Sequence, residues 1–291
     1  MGERTAWQFS DDRGQVSASG RRPERVLAYV QAGATLWDHG IRPRAIFGSG
    51  HDDPAVPDPA KTGALPSADV AYIGAGAALD VDTLLEGAPE LVVAVTYGGG
   101  QVYGLDPEAA KHLEGHVPVV VIDVGQGRTL AEITGRFAEL ARSLGGAEPG
   151  SAGRERDAAR DRLRALTAAP RRPRVLALSP DGPDRVHLAR PRMWPELRVL
   201  TELGVELVEP PEGPGANWFT AGWEQAADPV PDVVLADSRA HATPLTSLPP
   251  GGPWAAAGGN AARVVPWNPE PVCSARAHAR FLGRVADALE A

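Results

Sequence analysis

Two trains of short apolar, β-branched runs, separated by one long polar stretch, constrain this chain more than any other feature. The first train is Arg25 to Val30 (RVLAYV), Arg44 to Phe47 (RAIF), Leu91 to Tyr97 (LVVAVTY) and Val117 to Val124 (VPVVVIDV), with helical patterns between them. Strands that alternate with helices in this way pair mainly in parallel and are covered by helices on both faces. Thr129 and Glu132, in the step TLAE, form the signature of a capping box and open a helix that ends near Gly145 and Gly146.

The separating stretch, Ser151 to Ala169 (SAGRERDAARDRLRALTAA), is rich in helix formers and charges and has few apolar positions. A helix this polar reads as a solvated strut between lobes. At about 1.5 Å per residue it reaches roughly 25 to 30 Å. The second train follows: Arg174 to Leu178 (RVLAL), Arg185 to Leu188 (RVHL), a helix from Met193 to Leu203, Val205 to Val208 (VELV), Asp232 to Ala236 (DVVLA), Arg263 to Trp267 (RVVPW) and a final helix from about Ser274 to Leu289. A chain of 291 residues is long enough for two buried cores. The expected fold class is therefore α/β with two lobes, each a mainly parallel sheet flanked by helices. The expected boundaries are residues 1–150 for the first lobe, 151–169 for the connecting helix and 170–291 for the second.

The formal net charge of -8 and the lack of long basic runs argue against nucleic-acid binding. A single cysteine, Cys273, excludes an internal disulfide and a cysteine-rich metal site, and reads as a small packing residue. The opening MGERTAWQFSDDRGQVSAS has no apolar run that serves as a signal core. The expected location is extracytoplasmic if a signal or lipid anchor was removed, and cytoplasmic if the chain is complete as written. Enzyme signatures are missing: there is no Gly-x-Ser-x-Gly elbow, no phosphate loop ahead of Lys61-Thr62 and no His-Glu-x-x-His pair. The stretch Gly74 to Ala78 (GAGAA) imitates a dinucleotide fingerprint, but Leu79 stands where its third glycine belongs. No catalytic residue and no cofactor are expected. His51-Asp52-Asp53 reads as a solvated loop and not as a metal site, because three adjacent side chains do not converge on one ion without a sharp turn.

The ordered set of segments resembles the substrate-binding proteins of iron-siderophore and vitamin B12 ABC importers, whose two lobes are joined by one rigid helix. The resemblance runs through WQFSDDRG (Trp7 to Gly14), LWDHGIRP (Leu36 to Pro43), LDVDTLLEGAPELVV (Leu79 to Val93), PVVVID (Pro118 to Asp123), LTELGV (Leu200 to Val205) and Trp223-Glu224 ahead of PDVVL (Pro231 to Leu235). It implies a class III periplasmic-binding-protein-like architecture and a ferric siderophore or related metal chelate as ligand. It also implies an ABC permease as partner, docked through an acidic residue on each lobe, which here are Asp82 and Glu224. Asp82 stands where the family usually has Glu, and it reads equally well as a helix-start carboxylate favoured by the dipole. A monomer is expected. The alternatives are a cytoplasmic siderophore or metabolite binder of the same fold, and an enzyme with an unrecognised α/β active site.

In open α/β sheets ligands lie beyond the carboxyl ends of strands, so residues just past each strand are the candidates. After LVVAV come Tyr97, three glycines and Tyr103, a low-profile loop with aromatic flanks that fits a flat chelate. After RVHLA come Arg190, Arg192 and Trp194, and after DVVLA comes Arg239. Arginine offers fixed donors to carboxylate, catecholate or hydroxamate oxygens, which makes Arg192 and Arg239 the leading ligand cations. Trp218, in a Gly- and Pro-rich stretch, and Trp267, at the end of a strand, are read as facing the ligand, whereas Trp37, Trp223 and Trp254 are read as packing residues.

Overall fold

The computed structural model describes residues 6–76, 79–170, 173–226, 228, 230–255, 257 and 263–291. Ala77 and Ala78, the last residues of the fingerprint-like stretch, lie outside them. The chain divides into two compact units: residues up to Gly150 together with Glu270–Ala275, and Ser151–Pro269 together with residues from Arg276 onward.

The first unit opens with an antiparallel hairpin, β1 (Trp7–Ser10) and β2 (Val16–Ser19). Its sheet has the order β5-β4-β3-β6-β7, built from β3 (Val26–Tyr29), β4 (Ala45–Phe47), β5 (Ala71–Tyr72), β6 (Leu91–Thr96) and β7 (Val119–Asp123). Every neighbouring pair in this sheet is parallel. All residues of β3 and β6 are buried, which is why these runs are continuously apolar instead of alternating. The helices are α1 (Val30–Asp38), α2 (Pro59–Thr62), α3 (Val81–Glu86), α4 (Pro107–Glu114) and α5 (Leu130–Ser143). Helix α5 starts on the capping box that the sequence predicts, with Thr129 Oγ1 accepting from the Glu132 amide and the Glu132 carboxylate accepting from the Thr129 amide. Asp11 and Asp12, in the hairpin turn, accept from the backbone amides of Val121 and Asp123 and so fix the hairpin beside β7.

Helix α6 (Gly150–Thr167) carries the chain into the second unit, and its buried residues are Ala152, Leu163 and Thr167. This sparse burial matches its polar sequence. Arg162 on α6 bridges to Asp287 and Glu290 on α9 (Ala275–Glu290). The second sheet runs β11-β9-β8-β12-β13, with β10 also paired to β8. Its strands are β8 (Arg174–Asp181), β9 (Arg185–Ala189), β10 (Glu206–Leu207), β11 (Trp218–Ala221), β12 (Val233–Asp237) and β13 (Arg263–Trp267), with helices α7 (Pro195–Glu202) and α8 (Trp223–Ala226) between them.

Three of the five strand pairs in this sheet are parallel, but β9 runs antiparallel to both β8 and β11. The reason is local. The expected strand Arg174 to Leu178 continues to Asp181, and the link to Arg185 turns at Gly182 with φ 82°. So short a link closes a hairpin and leaves no room for the crossover that a parallel pair needs. Trp223 packs in the core of this unit and donates its Nε1–H to the carbonyl of Gly182, while Trp254 packs against the same core.

Candidate functional site

In the first unit the ends of β3, β4 and β6 converge on one aromatic row. Tyr29 closes β3 and Phe47 closes β4, and their rings meet edge to face with centroids 5.8 Å apart. Tyr103 stands on Tyr29 at 5.4 Å and 89°, and Tyr97 stands on Tyr103 at 4.8 Å and 70°. The structure thus brings the two tyrosines flanking the glycines together, and leaves both half-buried. Gly98, Gly99 and Gly100 have φ of 103°, 72° and 71°, a run of left-handed backbone that side chains resist, and this is why glycine occupies all three positions. Thr96 Oγ1 ties the loop by donating to the carbonyl of Gly98, 2.9 Å away.

Beneath the row lies a cluster the sequence reading missed. Lys61, on α2, has a fully buried side chain whose Nζ is 2.8 Å from Asp52 Oδ1 and 2.8 Å from Glu270 Oε1. Both carboxylates are buried too, at 1% and 3% side-chain exposure. Tyr29 donates its hydroxyl to the other oxygen of Glu270. Burial opposes ionisation of Asp52, but Lys61 and the amide and hydroxyl of Ser49 outweigh it and hold its pKa below the usual carboxylate value. Burial, then the charge of Glu270, push the Tyr29 hydroxyl well above its ordinary range. The solvated-loop expectation therefore holds for His51 and Asp53, which are exposed, and fails for Asp52. A lysine is fully buried only with a paired charge, and nothing in the run DPAKT announces that pair.

Glu270 belongs to the segment that returns to the first unit, and α1 receives it along a polar stripe. Gln31 Nε2 donates to the carbonyl of Pro271 at 2.9 Å, Thr35 Oγ1 accepts from the Cys273 amide at 2.9 Å, and Ser274 Oγ donates to Asp38 at 2.6 Å. Positions 31, 35 and 38 share one helix face. Their buried polar groups are explained by this partner, and the buried Cys273 is part of it.

In the second unit the register pairs Asp237, the last residue of β12, with Trp267, the last of β13. Asp237 accepts from Ser179 Oγ at 2.8 Å and from Arg239 Nη2 at 2.7 Å. Arg239 is thereby engaged in an ion pair with side-chain exposures of 11% and 0%. Removing it strands a buried carboxylate, so Arg239→Ala is expected to lower stability by about 2 to 3 kcal/mol, less than the full cost of breaking a wholly buried pair. Urea unfolding at pH 7.5 measures this, and an unchanged midpoint would contradict the structural role.

Trp194, Trp218 and Trp267 form a second aromatic cluster, with centroid separations of 5.0, 5.6 and 5.7 Å. Trp267 is 1% exposed, Trp194 is 7% exposed and Trp218 is half-buried. Within this unit Trp267 is accordingly a floor beneath its partners, a correction to its reading as a ligand-facing ring. It donates Nε1–H to Glu196 Oε1 at 3.0 Å. Burial pushes the Glu196 carboxyl up to about 7, against the opposing pull of its own amide, the Trp267 indole, Arg198 and Arg239.

The remaining arginines are also engaged. Arg190 donates to the carbonyls of Gly215, Pro211 and Gly213 and lies 5.8 Å from the Phe219 ring centroid, so it orders the Pro-rich stretch around Trp218. Arg192 is a mostly exposed residue paired with Glu209 at 3.1 Å. Asp82 and Glu224 are both exposed and lie in the first turns of α3 and α8. Among the described residues no cluster of three or more histidine, cysteine or acidic side chains is arranged to hold a metal ion, and no helix is long and apolar enough to cross a membrane.

Two α/β units of this topology match the fold of class III periplasmic binding proteins. Solved structures place the chain in more detail. DesE, a ferric-siderophore receptor protein from Streptomyces coelicolor, is similar over 98% of both chains at 28% identity with a TM-score of 0.85. The heme-binding protein HmuT matches at 16% identity and TM-score 0.66 over 99% of this chain and 91% of its own. The siderophore periplasmic binding protein from the fuscachelin gene cluster of Thermobifida fusca matches at 15% and 0.60, over 92% and 97%. No family profile and no curated protein matches the chain. The role these neighbours support is the binding of a substrate.

Proposed function

We propose that this chain is the substrate-binding protein of an ABC importer and captures a ferric siderophore or a closely related metal chelate. The observation that carries the reading is the likeness to DesE, which spans 98% of both chains, exceeds every other comparison above in identity and TM-score, and belongs to a ferric-siderophore receptor. The strand ends fit such a ligand. Each unit offers a cluster of aromatic rings packed at steep angles, Tyr97 and Tyr103 in the first and Trp194 and Trp218 in the second. Aromatic walls bury a bulky chelate at small entropic cost, and a few polar groups orient it. Arg190, Arg192 and Arg239 contribute positive charge near the tryptophans while holding their internal partners.

The protein in this reading binds and hands over its cargo without altering it, and needs no cofactor. Asp82 and Glu224 are the carboxylates that meet arginines of the permease, the protein acts outside the cytoplasm, and it works as a monomer. The test is a tryptophan-quenching titration with ferric trihydroxamate, tricatecholate and carboxylate chelates and with cobalamin. One ferric class is expected to saturate the signal at a 1:1 ratio. Trp218→Ala is expected to weaken that chelate about tenfold to thirtyfold, the effect of losing one well-packed aromatic contact. Equal affinity in the variant would remove Trp218 from the site, and saturation by cobalamin alone would overturn the iron assignment.

A further inference from the structure

The Lys61 cluster and the tyrosine row form a closed circuit. Lys61 bridges Asp52 and Glu270, and its Nζ also lies 3.4 Å from the Tyr29 hydroxyl. Tyr29 is held by Glu270 at its hydroxyl and supports Tyr103 at its ring. Tyr103 supports Tyr97, whose hydroxyl is 3.4 Å from Gln31 Oε1, and Gln31 in turn donates to the carbonyl of Pro271. The row thus begins and ends on adjacent residues of the returning segment. That segment starts three positions after Trp267, the last residue of β13.

We propose that Lys61 is a positioning residue for the ligand-facing tyrosines: by bridging Asp52 and Glu270 it fixes the returning segment, and through Tyr29 it sets the placement of Tyr103 and Tyr97. Lys61 is fully buried, and its ion-pair partners are the buried side chains of Asp52 and Glu270. Rings packed edge to face transmit displacement because closely packed groups have little free volume in which to absorb it. The inference rests on the reading of Tyr97 and Tyr103 as ligand residues, and its test separates the two.

The chain has only four tyrosines, three of them in this row, so 3-fluorotyrosine labelling of the full chain yields a resolved set of fluorine resonances. In Lys61→Met the Tyr97 and Tyr103 resonances are expected to shift or broaden although neither residue bonds to position 61. Tyr29→Phe, which keeps the ring and both ion pairs and deletes only the hydroxyl, guards against a variant that fails to fold. It is expected to move the same two resonances by a smaller amount. Tyr97 and Tyr103 resonances that stay at their wild-type positions in Tyr29→Phe, or in a folded Lys61→Met, overturn the proposal. In the same samples affinity for a ferric trihydroxamate and a ferric tricatecholate is expected to fall at least fivefold for whichever of the two binds. Moved resonances with unchanged affinity would uphold the positioning role and remove the tyrosines from the ligand site.

Discussion

Lys61→Met is expected to cost about 3 to 5 kcal/mol of folding stability at neutral pH, the range for breaking a buried ion pair by removing one partner. Two carboxylates, Asp52 and Glu270, would remain at 1% and 3% side-chain exposure with no cation between them. The loss has a pH signature. In the wild type Asp52 has a depressed pKa, so its stabilising contribution is present above its unfolded value near 3.8 and fades as pH falls through the lower folded value. In the variant Asp52 loses the ammonium that lowers its pKa while the burial that raises it remains, so its folded pKa rises and protonation relieves it. The gap between variant and wild type is therefore expected to narrow between pH 7.5 and pH 5. Urea melts at the two pH values check this, and a gap below 1 kcal/mol at pH 7.5 would contradict the buried cluster.

Glu196→Gln is expected to act in the opposite direction. The Glu196 carboxyl is raised from 4.5 to about 7, mainly by burial. An acid whose folded pKa exceeds its unfolded pKa takes up a proton on folding, so its presence costs stability progressively as pH rises from 4.5 through 7. At about 1.4 kcal/mol per pKa unit the penalty reaches roughly 3 kcal/mol at pH 8. Glutamine keeps an oxygen for the Trp267 indole and removes the titration. The variant should thus match the wild type near pH 4.5, exceed it by roughly 3 kcal/mol at pH 8, and show a flatter profile between. Parallel stability curves from pH 4.5 to pH 8 would show that Glu196 remains ionised in the fold, held by Arg198 and Arg239.

Most of the architecture is legible in the sequence because buried strands and capped helices are local statements. The runs VLAY and LVVAVT are apolar throughout since both faces of β3 and β6 are covered, and the Thr129–Glu132 box depends on four consecutive residues. Register and direction are less local. The antiparallel β9 follows from a hairpin at Gly182 that reads as a gap between two independent strands. The N-terminal hairpin is short and polar, and it is anchored by Asp11 and Asp12 to amides more than a hundred residues away.

The candidate site shows the same divide. Tyr97 and Tyr103 were findable because three glycines and a strand end mark their loop. The Lys61 cluster was not, since its members stand at positions 29, 52, 61 and 270 and meet only when the chain returns to the first unit. The arginines mark a further limit: a guanidinium past a strand end looks the same in sequence whether it waits for a ligand or, like Arg190, holds three backbone carbonyls.

Equilibrium dialysis of the full chain against ferric chelates carrying radioactive iron tests the central claim most directly. The account predicts that one siderophore class is retained at one equivalent per chain, and that iron and organic chelator leave together, chemically unchanged, when the protein is unfolded. Retention of none of the ferric classes, or recovery of a cleaved chelator or reduced iron, would contradict it.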